Sequence, residues 1–155
     1  MCRMKLAEAL QERADLNRKI EQLRDRLENN ALVQEGERPA EEPELLKREL
    51  DDAVERLAYL MARINLTNAQ TRIQGKTLTE WIARKDALLV KLHAYQQIVQ
   101  TGSQTVYRAR NTEIRIKPAI AVAAWQTEVD GMAKELRLLD NQLQESNWKT
   151  DLVEG

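Results

Sequence analysis

Val122, Trp125, Val129, Met132, Leu136, Leu139 and Leu143 recur at steps of three and four near the end of the chain. On a helix of 3.6 residues per turn they fall on a single stripe. A stripe this apolar must lie against another helix, so the feature commits the chain to long helices packed side by side. Three earlier stretches repeat the pattern. Leu6, Ala9, Leu16, Ile20, Leu23 and Leu27 mark a first helix over about 5–28, with Arg13 filling one place in the row. Leu46, Leu50, Ala53, Leu57, Leu60 and Ile64 mark a second over about 44–70. Pro43 suits its first turn, where a missing N–H costs nothing. Leu78, Trp81, Ile82, Leu88, Leu89, Leu92, Tyr95 and Val99 give a third over about 78–100, with a wide apolar face. The fourth covers about 120–145.

The breaks agree with these rows. Asn29-Asn30 can end the first helix, because Asn tolerates the left-handed cap conformation. An acidic, turn-rich loop follows over 34–43, with Gly36, Pro39 and Pro43. Gly75 stops the second helix, and Thr77-Leu78-Thr79-Glu80 reads as a capping box opening the third. From Thr105 to Lys117 the helical period gives way to alternation in Ile114-Arg115-Ile116-Lys117, preceded by the β-prone Thr105-Val106-Tyr107-Arg108. A short hairpin or extended segment over 105–117 is therefore expected. Two strands alone are marginal in water, so these should lie on the helices or pair with another copy. The expected fold is all-α: an elongated antiparallel four-helix bundle with coiled-coil-like seams and this insertion before the last helix. At 155 residues it should form a single helical domain.

Composition narrows the function. With 24 basic and 25 acidic residues the formal net charge is -1, so bulk attraction to phosphate or anionic lipid is absent. Phe is absent, which leaves Leu, Ile, Val, Ala and Met to fill thin helical layers. The longest apolar run, 118–125, falls short of the ~20 residues a bilayer span requires. Cys2 is the only cysteine, which rules out an intramolecular disulfide. With no signal-peptide core after Cys2, a cytoplasmic protein without membrane contact is expected.

Chemical signatures are sparse. His93 is the only histidine, so no His-based metal cluster and no second His for a nucleophile dyad is available. Glu35, Glu37, Glu41, Glu42 and Glu44 crowd the first loop but lack the spaced Asp/Asn and central Gly of a calcium loop. No phosphate-cradling Gly loop is present, and neither cofactor nor metal is expected. Two patches remain as candidates. Arg108, Arg110, Arg115 and Lys117, with Tyr107 among them, form the one locally basic stretch, which could meet nucleic acid or simply guard an edge hairpin. Asn65, Thr67, Asn68 and Thr71 form a polar strip that could line a small pocket between helices or between subunits, or be the surface of a helix approaching its end; a site between subunits would use this strip, His93 or the basic stretch.

Arg13 also has two readings: a packed stem with its head in water, or a buried pair that fixes register. Long helices, wide apolar faces and few aromatics favour self-association. Its seam would be Leu16, Ile20, Leu23 and Leu27 of the first helix with Trp125, Val129, Met132, Leu136, Leu139 and Leu143 of the last.

Four segments, MKLAEALQERADLN from Met4, LENNALVQEGERPAEEP from Leu27, INLTNAQT from Ile64 and KELRLLDNQLQESNWKTDL from Lys134, resemble a family of small bacterial helical proteins, some of which carry the name septicolysin. The resemblance brackets nearly the whole chain and implies a helical fold and self-association, with no activity attached to any residue. The name belongs to thiol-activated, β-rich pore-forming toxins. Cys2 lacks their Trp-dense loop here, and Trp81, Trp125 and Trp148 are scattered. The expectation is a non-enzymatic, homo-oligomeric helical protein acting as a scaffold or adaptor. The alternative is an enzyme or nucleic-acid-processing factor whose site forms between subunits; pore formation rests on the name alone.

Overall fold

The computed structural model describes residues 3–104 and 116–154. Four helices dominate it: α1 (Leu6–Asn29), α2 (Pro43–Gln70), α3 (Leu78–Ser103) and α4 (Val122–Lys149), with the strands β1 (Arg72–Ile73) and β2 (Lys76–Thr77) between α2 and α3. The fold class is all-α, as the apolar periodicity requires. Two compact units are formed, one by residues 1–78 with 145–155 and one by residues 79–144.

In the first unit α1 and α2 run antiparallel. Leu6, Ala9 and Leu23 are buried on α1, and Leu46, Ala53, Leu60 and Ile64 on α2. Each buried Leu contributes ~1.5–3 kcal/mol, so these rows outweigh any single polar contact. Arg56 grips Glu12 across the pair with both arms, Nε to Oε1 at 3.0 Å and Nη2 to Oε2 at 2.9 Å. Arg13 is half-buried and takes part in no ion pair among the described residues.

Asn30 ends α1, but not by the left-handed conformation expected of it: its φ is -111°. Its side chain performs the capping instead. Nδ2 donates to the Arg26 carbonyl at 2.8 Å, and Oδ1 accepts the Glu41 N–H at 3.0 Å, which ties the acidic loop to the helix end. Glu41 also pairs with Arg26.

A two-residue turn joins β1 to β2, with Gln74 at φ 49° and Gly75 at φ 82°. Two positive φ values in succession give the twist that a tight hairpin needs. This hairpin, Arg72 opposite Thr77 and Ile73 opposite Lys76, follows α2 directly. Residues 105–115 of the expected insertion lie outside the described residues, and Ile116 and Lys117 are not in a strand.

The chain ends close the first unit. Lys5 and Asp151 form an antiparallel bridge, in which Leu6 N–H donates to the Thr150 carbonyl and Leu152 N–H to that of Met4, both at 2.8 Å. Leu152 is buried there.

In the second unit α3 and the 122–144 part of α4 run antiparallel. Leu92 and Val99 meet Val129 and Met132 in a core, flanked by Leu88, Tyr95, Val122, Trp125 and Leu136. The Tyr95 and Trp125 rings lie 5.3 Å apart at a tilt of 35°. Arg84 reaches Glu135, and Lys85 reaches Asp140, on the edges of the same pair. α3 continues to Ser103 and α4 to Lys149, each a turn beyond the expected end. In α4 the Glu145–Lys149 pair supports that last turn.

Candidate functional site

The residues singled out in the sequence are not equivalent in the structure. In the first unit Asn65 is exposed and Asn68 half-buried, but Thr67 between them is fully buried. Its hydroxyl donates to the Arg63 carbonyl at 2.7 Å and accepts the Val153 N–H at 2.9 Å. The polar strip therefore owes its central residue to fastening the chain end onto α2. In the second unit His93 is exposed on α3 and Lys117 is exposed before α4. Arg108, Arg110 and Arg115 lie outside the described residues.

The acidic loop holds its charges apart. Glu41 is committed to Arg26, whose hydrogen bond holds the carboxyl below its ordinary range while raising the guanidinium in return. Glu35, Glu37, Glu42 and Glu44 point to solvent. Among the described residues no group of three or more His, Cys, Asp or Glu side chains is placed to hold a metal ion. No helix among them is long and apolar enough to cross a membrane.

The seam residues are covered within the chain to different degrees. Leu23, Val129, Met132, Leu139 and Leu143 are buried, whereas Leu16, Ile20, Leu27, Trp125 and Leu136 are half-buried.

On α3, Leu88, Leu92, Tyr95 and Val99 face α4. The opposite side carries Ala83, Ala87, Val90, Ala94 and Ile98, all exposed, with Val90 at 71%. At ~100° per residue these five fall within an arc of about 80° and extend over ~22 Å of helix. α3 is thus apolar on two opposite sides, of which α4 covers one. At its C-terminal end the row enters an open groove of about 750 Å³, lined by Ile98, Thr101, Gly102, Ile116, Pro118 and Ile120. The flanks are polar, with Asp86 and His93 along one side and Arg84 and Lys91 along the other. Sequence reading assigned α3 a single wide face and passed over this one, because three of its five members are Ala, which weighs little in an apolar pattern.

The row offers apolar contact along its middle and polar groups at its margins.

Residues 13–152 match a family of unknown function (DUF6847). The chain is also similar to a crystal structure of a functionally unknown conserved protein from Corynebacterium diphtheriae, at 35% identity and a TM-score of 0.92, over 98% of this chain and 100% of that one. No curated protein matches the sequence.

Proposed function

The chain belongs to that family of unknown function, DUF6847, and we propose that it works by binding a further copy of itself, as a homo-oligomeric scaffold or adaptor without catalytic activity. The observation that carries this reading is the exposed apolar row on α3. Leaving Val90 and Ile98 in water forgoes the stabilisation their burial would give, ~1.5 kcal/mol or more for each fully buried side chain. Contiguous apolar surface rimmed by charge is the usual mark of a protein contact. The wide faces and long helices read from the sequence point the same way.

Native mass spectrometry of the purified full chain tests the proposal. The expected spectrum contains a dimer or higher multiple of the 17.9 kDa chain, with no additional mass on it. A strictly monomeric spectrum would remove the scaffold reading. Co-purifying metal, nucleotide or nucleic acid in stoichiometric amount would replace it with the alternative of an enzyme or nucleic-acid-processing factor whose site forms between subunits.

A further inference from the structure

We infer that the α3 row is a parallel two-fold seam: it receives the α3 row of a second copy running in the same direction, and the pair Asp86–Lys91 across the seam selects that arrangement. The inference rests on the self-association reading and adds its surface and orientation. Ala83, Ala87, Val90 and Ala94 are spaced four, three and four, the a/d repeat of a coiled-coil seam. In that repeat Asp86 occupies a g position and Lys91 the following e position. Both side chains are exposed, one on each flank of the row.

The flanking charges distinguish the two orientations. In a parallel pair each g position faces the e position five residues on in the other chain. Asp86 of one copy then meets Lys91 of the other, and symmetry repeats the attraction. In an antiparallel pair, e positions face e positions. With Ala87 opposite Val90, that register sets Arg84 against Lys91 twice, cation against cation. Arg84 already lies by Glu135 and over the Trp81 ring on its own chain. Lys91 lies 5.4 Å over the Tyr95 ring of its own chain.

The alanines fit the same picture. Small side chains let two helices approach closely around Val90, while Ile98, at the next e position after Lys91, faces His93 of the other copy. A row of this length is short by the standard of permanent dimers, so the association is expected to be reversible.

The test uses the full chain with Cys2→Ser, so that introduced thiols are the only ones. In a parallel seam Val90 faces its own symmetry mate, and Val90→Cys alone forms an interchain disulfide under mild oxidation. Asp86→Lys or Lys91→Asp alone weakens dimerisation by roughly tenfold, because two attractions become two repulsions. Mixing the two variants restores it as a heterodimer, since one chain is then basic at both positions and the other acidic at both. If the wild type is a dimer but the crosslink forms only between Ala87→Cys and Val90→Cys chains, the seam is antiparallel and the inference is overturned. A dimer that survives Val90→Glu at unchanged affinity uses another surface, which overturns the inference and leaves self-association intact. A chain monomeric throughout overturns both. Circular dichroism of each variant, expected unchanged, separates lost association from lost folding.

Discussion

Thr67 satisfies two backbone groups at once, and both belong to the structure that closes the first unit. Its hydroxyl accepts the Val153 N–H and donates to the Arg63 carbonyl. Thr67→Val keeps the volume but strands a buried N–H, so it should cost ~1–3 kcal/mol in urea unfolding. Thr67→Ser, which keeps the hydroxyl, should cost less. At the far end of the same clasp, Asp151 receives the Lys5 ammonium at 2.7 Å. That hydrogen bond, helped by the charges of Lys5 and Arg3, holds the Asp151 carboxyl below its ordinary value of 3.8. A carboxyl depressed on folding adds stability above its ordinary value and loses it as the pH falls through that value toward the lowered one. Asp151→Asn should therefore lower the urea midpoint slightly at neutral pH, and the difference should vanish in acid. At this scale the sequence was only partly legible. Asn30 was recognisable as a helix end because of its residue type. Its capping through side-chain bonds was not, because the second partner, Glu41, is 11 residues away. Thr67 looked like one more polar residue on a fading helix, since its partner Val153 is distant in sequence.

The helices themselves could be read well because they are long and each row is periodic over five or more turns. Pro43 opens α2, Thr77 immediately precedes α3, and both positions follow from local chemistry. The β1–β2 hairpin was missed: four strand residues give no alternation to detect, and only the Gln74-Gly75 pair hinted at a turn with positive φ. The two helical glycines of the second unit make opposite predictions. Gly131 on α4 has nothing within 4 Å of where a Cβ would stand. Gly131→Ala should raise stability by ~0.5–1 kcal/mol, the helix propensity difference, seen as a higher urea midpoint. A Cβ on Gly102 would stand 3.0 Å from Ile120 Cδ1 and 3.1 Å from its Cγ1, where the end of α3 meets the segment leading into α4. Gly102→Val should lower the midpoint, since the β-branched side chain has to displace Ile120.

For the whole molecule, the sequence made plain that helices must cover one another, and it could not say which faces would be left over. The rows chosen as the self-association seam were the strongest apolar periods, and strong periods are what a single chain uses first for its own core. Val129 and Met132 illustrate this by packing against Leu92 and Val99 of the same unit. Among the exposed apolar side chains, Val90 and Ile98 continue the alanine-rich row of α3. A surface that is only moderately apolar suits an association that must also release, and its charged margins restrict which partner can settle on it. Sedimentation equilibrium of the wild-type chain beside Val90→Glu, from micromolar to submillimolar concentration, tests this most directly. The wild type should show a mass that rises with concentration from one chain toward two, while Val90→Glu stays at one chain with unchanged helix content. A wild type that remains a single chain over the whole range, or a variant that associates as well as the wild type, would contradict the account.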